Sequence, residues 1–333
     1  MRYGSIQEIF TSFERLRVLI IGDVMVDSYI HGTVTRISPE APVPVLNVKS
    51  REKRLGGAAN VALNIQALGA VPILCSVIGD DGEGDDFRAL LERKGMSSEG
   101  ILRSSKRRTT VKNRVISGGH HLIRIDEEED SPLHETDRSA LSSHILRLLE
   151  GCDVVIFEDY DKGCLDPEII QFTIRKAKEK GIPTTVDPKK RNFLAYHHAT
   201  LFKPNLKELR EGMKLEVDLS EKAIETAVTE LAELLHVDNT LITLSENGVF
   251  YKNKNEMGQH PAHVRSISDV SGAGDTVISI ISLAIALDLP LSFSAELANL
   301  GGGIVCEYPG VVPIQRDRLL HEAKNNTVLL TYF

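Results

Sequence analysis

Apolar residues in this chain fall into two patterns that take turns. Short continuous runs, of which 17–22 (RVLIIG) and 153–157 (DVVIF) are the clearest, carry no polar alternation, as strands buried on both faces of a parallel sheet require. Similar runs cover 71–79, 183–187, 200–202 and 240–244. Between them, 83–94, 140–149, 167–180 and 222–235 place apolar residues at helical spacing, and the N-terminal MRYGSIQEIFTSFERL reads as a short amphipathic helix. Strand and helix in alternation predict an α/β fold with a parallel sheet, whose ligands gather beyond the carboxyl ends of the strands.

Two stretches break that rhythm. The first, 29–54, contains RISPEAPVPVLNV, and its prolines Pro39, Pro42 and Pro44 forbid a helix and suit edge strands. The second, 109–126, sets Gly118-Gly119 between two strand-like runs, which is a hairpin signal. Together they predict a small sheet projecting from the main domain as a lid that excludes water during chemistry; the alternative is a decorative edge hairpin. Between them, in 55–70, Gly56-Gly57 opens a helix of small residues with Asn60 one turn inside. Backbone and substrate can approach closely there, unless the small residues serve only tight helix packing.

Polar residues mark the strand exits. Asp23 and Asp27 follow the first strand, where a carboxylate can hydrogen-bond polyol hydroxyls; Glu158, Asp159 and Lys162 follow another, and Asp187, Lys189 and Lys190 a third. Lysine at such a position suits phosphate, although a solvated surface lysine is commoner. After 200–202, Asn205 and Glu208 stand three apart on an opening helix. They can organise a hydrated Mg²⁺ beside phosphates, or they form a capping box and nothing more.

The strongest chemical signal is 268–288, SDVSGAGDTVISIISLAIALD. Small residues Ser271, Gly272, Ala273 and Gly274 lead into a continuous apolar helix with Asp275 in its first turn. A helix start offers unpaired N–H groups and partial positive charge, so it can hold a phosphoryl group in transfer. A carboxylate one turn inside can take the proton of an attacking hydroxyl. The alternative is a plain cap whose acid complements the helix dipole.

Composition narrows the field. The 333 residues allow one or two domains, and no linker-like composition divides them, so a single domain over 1–333 is expected. A net charge of −8 without long basic blocks makes nucleic acid a poor partner. The four cysteines form no CxxC pair, which points to a reducing cytoplasm rather than to zinc or disulfides. No secretory signal and no membrane-length apolar run is visible. Neither GxxxxGK[ST], nor GxGxxG after the first strand, nor HRD and DFG occurs, so anion handling must rest on GAGD.

GAGDTV, the upstream Asp269, GGAAN, Asp27 and NLKE together resemble the ribokinase-like carbohydrate kinase family over nearly the whole chain. Within it, GDVMVDSYIHGTVTRISPEAPVPVLNV, LGGAANVA, LIRID, DYDKG, DPK and KPNLKE look like the heptose 7-phosphate kinase domain of ADP-heptose synthesis. The resemblance implies a three-layer α/β/α sandwich with a β-sheet lid. It implies ATP-dependent phosphorylation of the anomeric hydroxyl of D-glycero-β-D-manno-heptose 7-phosphate, for lipopolysaccharide core assembly. Asp275 is then the base, and the amides of Gly272, Ala273 and Gly274 the anion hole. Asp27, Gly56, Gly57 and Asn60 hold sugar hydroxyls, and Asn205 and Glu208 serve Mg²⁺-phosphate. Thr243, Ser245, Gly248 and Asn299 lie along the nucleotide, while Asp269 and Ser271 border a monovalent cation, K⁺. A homodimer through the lid, where Val43, Val45 and Val48 alternate, follows from the same likeness.

A sugar that already carries phosphate brings about two negative charges, so its site needs cations. Arg36, Arg114, Arg124, Lys162 and Lys189 are the candidates, with Arg36 first for the 7-phosphate and Lys189 nearer the transferred group. Two departures from the family stand out. No HxGH motif of a C-terminal nucleotidylyltransferase domain occurs, so adenylyl transfer is expected either from another polypeptide or from a domain that this sequence does not include, and KRNF after DPK adds basic charge. The rivals are a kinase of this fold with another acceptor, a catalytically silent sugar- or nucleotide-binding regulator, and, more remotely, a dinucleotide-dependent oxidoreductase.

Overall fold

A computed structural model describes residues 2–333. In chain order the elements are α1 (Ile6–Phe13), β1 (Arg17–Gly22), β2 (Val24–Ile37), β3 (Pro44–Gly57), α2 (Ala58–Ala67), β4 (Val71–Gly79), α3 (Gly82–Arg93) and β5 (Gly100–Ser104). There follow β6 (Val111–Ser117), β7 (His120–Glu127), α4 (Glu135–Leu148), β8 (Val154–Glu158), α5 (Pro167–Glu179), β9 (Thr184–Asp187), β10 (Leu201–Phe202), α6 (Leu206–Met213) and α7 (Glu221–Leu235). The chain closes with β11 (Asn239–Thr243), β12 (Val249–Lys252), β13 (Met257–His260), α8 (Ala273–Ala286), α9 (Leu291–Val305), α10 (Arg316–Lys324) and α11 (Thr327–Leu330).

Nine strands form one sheet in the order β13-β12-β11-β10-β9-β8-β1-β4-β5. All pairs from β11 to β5 are parallel, and β12 and β13 add an antiparallel edge. Continuous apolar runs build these strands because both faces are covered. Val18 and Ile20 enter the core formed with α1, α2, α8 and α9, whereas Leu19 and Ile21 enter the one formed with α4, α5 and α7. The three-layer α/β/α sandwich is therefore the observed architecture. Sequence patterning missed β5, the β12–β13 edge, α10 and α11, all short or weakly periodic. The glycine run Gly301 to Gly303 lies inside α9, where a Cβ on Gly302 would come within 2.8 Å of Val277 on α8, so these glycines let two helices close on each other.

The lid is a second, four-stranded sheet in the order β3-β2-β6-β7, so the two breaks in the pattern do pair. Its register sorts the residues by face. Arg54, Asp27, Lys112 and Asp126 form one cross-strand row, and Glu52, Tyr29, Arg114 and Arg124 form the next on the same face. Ile30, Val115 and Ile123 form a row on the opposite face. One side is densely charged, and the other sets these apolar residues beside Arg51 and Lys53 of β3. The base of the lid runs directly from β1 into β2 and from β3 into α2, which joins its charged face to the carboxyl ends of the main strands.

Candidate active site

Four main-sheet strands end at one place. Asp23 follows β1, Glu158 ends β8, Asp187 ends β9, and Lys203 follows β10; all four are buried. The starts of α2 and α8 point to the same end. Gly272 caps α8 at φ 81°, a left-handed conformation that costs other residues about 1–2 kcal/mol. A Cβ there would also lie 3.2 Å from Asn60 Nδ2, so glycine lets the two helix mouths meet. The amide of Ala273 already donates to the Val270 carbonyl at 3.3 Å, which leaves those of Gly272 and Gly274 as the better anion donors. A Cβ on Gly274 would face Asp187 Oδ2 at 3.7 Å and Lys203 Nζ at 3.9 Å. Asp269 steadies this mouth by accepting the N–H groups of Ser271 (2.9 Å) and Gly310 (3.0 Å). Burial raises its carboxyl, but these donors hold it below the usual range.

Asp275 is 8% exposed, and each of its oxygens accepts one hydrogen bond. Asn60 Nδ2 donates to its Oδ2, and the Tyr160 hydroxyl donates to Oδ1 at 2.9 Å. Behind it, the Thr276 hydroxyl donates to Asn64 Oδ1 at 3.0 Å, and Asn64 Nδ2 to the Asn60 carbonyl at 3.0 Å, which clasps α8 to α2. Burial raises the Asp275 carboxyl, Asn60 and Tyr160 lower it, and Asp187 adds to the rise. Glu158, Asp187 and Asp275 each bring a carboxylate oxygen within 4.8 Å of the others. Burial and its two acidic neighbours push Glu158 well above the ordinary range, and its Oε2 has no hydrogen-bond partner. The nearby cations are Lys203, bridged to Asp187 at 2.8 Å, and Lys189, paired with Glu208. Buried carboxylates this close cannot all stay ionised without a cation or a proton between them.

A further buried acid shapes the loop after β8. Asp23 accepts the backbone N–H groups of Tyr160 (2.9 Å), Lys162 (3.1 Å) and Cys164 (2.9 Å). Beside it Asp159 receives the Asp161 N–H (2.8 Å), the Tyr196 hydroxyl (2.8 Å) and Asn192 Nδ2 (3.1 Å). Burial and the Asp23 carboxylate nonetheless push Asp159 up to about 6.

On the lid side, Asp27 pairs with Arg114, and the absence of a Cβ on Gly56 makes room for the Asp27 carboxylate. Gly57 sits at φ 62°, against the Asp23 carbonyl. Tyr29 is flanked by the guanidinium groups of Arg54 at 4.8 Å and Arg114 at 5.3 Å. Lys162 pairs with Glu128 at 2.5 Å. Two of the nominated cations stay apart from this cluster. Arg124 is exposed and pairs with Asp126 at 3.0 Å. Arg36 is exposed and lies nine residues beyond Asp27 on β2, about 30 Å along a strand.

Beyond β10, Asn205 and Glu208 do form a capping box, with Glu208 Oε2 accepting the Asn205 N–H at 2.9 Å and its other oxygen held by Lys189. Thr243 bridges to Asn205, and Ser245 and Gly248 take positive φ values of 54° and 84° in the turn that follows. Asn299 Nδ2 donates to the Pro261 carbonyl at 2.9 Å, so it fixes the far wall. Residue-by-residue reading did not nominate Tyr160, Arg54, Glu158, Asp187 or Lys203. Glu158 and Asp187 carried a signal, since both are acids at strand exits; Tyr160 and Lys203 lay inside the DYDKG and KPNLKE blocks without being singled out, and Arg54 carried no signal.

Comparison with known proteins agrees with this geometry. The model of the pfkB family carbohydrate kinase matches residues 15–317. Bifunctional protein HldE of Syntrophotalea carbinolica is 36% identical over 321 residues, 96% of this chain and 65% of that protein. Its counterpart in Caulobacter vibrioides is 42% identical over 296 residues, 88% of this chain and 60% of that protein. The chain thus spans less than two thirds of the length of these curated relatives. Phosphofructokinase-2 from Escherichia coli in complex with potassium superposes with a TM-score of 0.78 at 19% identity, over 93% of this chain and 99% of that one, a likeness of fold.

Asp159 supplies a pH test of the loop. Its folded carboxyl titrates near 6 rather than 3.8, so the folded state holds a proton that the unfolded chain loses first. Stability from this group is therefore highest below pH 4 and falls as pH rises to about 6, by roughly 3 kcal/mol in all. In urea unfolding, the stability of the wild type relative to Asp159→Asn should decline over that window and level off above it; a difference independent of pH would show an ordinary carboxyl.

Proposed function

This chain belongs to the pfkB family of carbohydrate kinases, and from that premise we propose that it transfers the γ-phosphoryl group of ATP to the anomeric hydroxyl of D-glycero-β-D-manno-heptose 7-phosphate. The observation that carries the chemistry is Asp275, buried at the mouth of α8 beside the Gly272 and Gly274 amides. The substrate is supported by 36% and 42% identity to proteins called HldE, and by the charged face that the lid turns toward the site.

In this reading the sugar lies between the lid and the strand ends, with hydroxyls held by Asp27, Asn60 and the backbone at Gly56 and Gly57. Asp275 takes the proton as the acceptor oxygen attacks phosphorus, and the bond to the ADP oxygen breaks. The amides at the α8 start, helped by Lys189 and Lys203, stabilise charge on the transferred group. Thr243, Ser245, Gly248 and Asn299 border the nucleotide.

ATP chemistry of this kind uses a divalent cation, taken here as Mg²⁺, and the residues present fit one. Glu158 Oε2 is buried without a partner next to Asp187 and Asp275. Glu158 and Asp187 would hold the ion directly, with Glu208 acting through water. There it would neutralise phosphate oxygens and orient them. Asp269 and Ser271 border a monovalent site, for which the potassium complex of E. coli phosphofructokinase-2 is the supporting parallel.

For the phosphate already on the sugar, Arg114 and Lys162 stand closest to Asp27 and the loop after β8, whereas Arg36 lies too far out along β2 to join them. The apolar face of the lid, with Ile37, Val43, Val48, Ile123 and Ile125 exposed, is assigned to a second copy of the chain. Among the described residues no helix is long and apolar enough to cross a membrane.

Incubation with ATP, Mg²⁺ and heptose 7-phosphate should yield a second sugar phosphorus signal by ³¹P NMR, and Asp275→Asn should lower kcat at least about a thousandfold. Near wild-type turnover in that variant would dismiss the mechanism. Arg114→Gln should raise KM for the sugar phosphate at least about tenfold while KM for ATP holds, and an unmoved KM would take Arg114 out of the site. Ile123→Glu should convert a dimer to a monomer in sedimentation; a wild type that is already monomeric would discard the lid interface.

A further inference from the structure

Asp275 is gripped from two sides by groups that belong to different parts of the chain. Asn60, on α2, donates to Oδ2, and Tyr160, on the loop after β8, donates to Oδ1 at 2.9 Å. Both donors are neutral. That choice has a consequence, because Asp275 is faced by Glu158 from β8 and Asp187 from β9, with Lys203 after β10 already bridged to Asp187 and Lys189 after β9 paired with Glu208. Repulsion from the two acids favours a carboxylate that swings away, and an ammonium that held it back would also quench its basicity. An amide and a phenol hold it in place and leave its charge intact.

The position of the Tyr160 hydroxyl is itself set with care. The Tyr160 N–H ends on the buried Asp23 carboxylate, which also takes the N–H groups of Lys162 and Cys164, so one acid fixes the loop at Tyr160 and at the residues that follow it. Asp161 adopts φ 56° and returns its N–H to Asp159 Oδ1 at 2.8 Å, which turns the chain sharply after Tyr160. The Lys189 ammonium lies 5.6 Å from the centre of the Tyr160 ring and limits its tilt. A tyrosine needed only for packing would not require its hydroxyl to end on the one carboxylate at the helix mouth.

We propose that Tyr160 is a positioning residue for activation of the acceptor hydroxyl: with Asn60 it fixes the plane of the Asp275 carboxylate so that a remaining lone pair meets the incoming hydroxyl. This rests on the reading of Asp275 as the base. An ionised carboxylate has about four acceptor positions, of which the two clamps use one on each oxygen, so room for a third donor remains. Tyr160 keeps its own proton throughout; the proton of the sugar hydroxyl passes to Asp275. The gain is geometric, since a base held within a few tenths of an ångström of its working position needs no reorganisation when substrate arrives.

Tyr160→Phe removes one oxygen atom and leaves the ring beneath Lys189, so it tests the hydroxyl alone. With ATP and heptose 7-phosphate, kcat should fall about tenfold or more, both KM values should stay within about twofold, and the melting temperature should be unchanged. Wild-type kcat in this variant overturns the proposal, and so does a loss that falls on KM for the sugar, which would make Tyr160 a substrate contact. If Asp275→Asn is inactive while Tyr160→Phe is normal, the base stands and only the positioning role falls. A second readout needs no turnover. The chain has no tryptophan and 7 tyrosines, so tyrosine emission is directly visible. A tyrosine that donates to a carboxylate is quenched; Asp275→Ala should therefore brighten the wild-type protein and leave Tyr160→Phe unchanged. Equal emission changes in the two backgrounds would show that the clamp does not exist in solution.

Discussion

The site depends on one costly arrangement, a carboxylate buried at a helix mouth within reach of two others. Asp275, Glu158 and Asp187 could each lower their energy by taking up a proton or moving into water. They are held in place by a scaffold that has no freedom to relax. The clasp from Asn60 and Asn64 on α2 to Asp275 and Thr276 on α8 fixes the two helix starts against each other, and the glycine at 272 is what lets them approach. The same crowding of acids gives the site its use, because a cation held there would meet in Glu158 Oε2 an oxygen that lacks any other partner.

Around that centre, buried acids do mechanical work on the backbone. Asp23 gathers three N–H groups of the loop after β8, and Asp269 gathers one from each of the two segments that flank the α8 start. Each replaces the hydrogen bonds that a loop would otherwise make to water, so segments without helix or strand become rigid enough to aim a side chain. This is how Tyr160 and the anion-binding amides acquire defined positions on stretches that are formally irregular.

The lid adds the substrate side. Its register separates a densely charged face from the one that carries the apolar row, and on the charged face nearly every cation already has an acid: Arg114 with Asp27, Lys112 and Lys162 with Glu128, Arg124 with Asp126. In the proposed function, a phosphorylated sugar would enter a surface where charges must exchange partners, and its own phosphate would compete with carboxylates for the same guanidinium and ammonium groups. Selectivity for a charged sugar would follow from that reading, since a neutral one would leave those pairs undisturbed and gain little from them.

The linear pattern alone settled the α/β alternation, the projecting sheet, the helix mouth at 271–275 and the acid inside it. These are local: they depend on apolar periodicity, on glycine where the backbone must turn left-handed, and on an acid at a helix start. It also nominated Asn60 and Asp27, because small residues and strand exits announce where ligands sit. Only the folded chain decided which acids and cations share the site. Glu158, Asp187 and Lys203 meet because their strands are neighbours in the sheet, and sheet order is not written in any one segment. Tyr160 reaches Asp275 across 115 positions of sequence, and Arg36 falls away from Asp27 because an extended strand carries it outward. Local propensity can place a residue on an element, but the distance between two elements is fixed by packing, and chemistry depends on that distance.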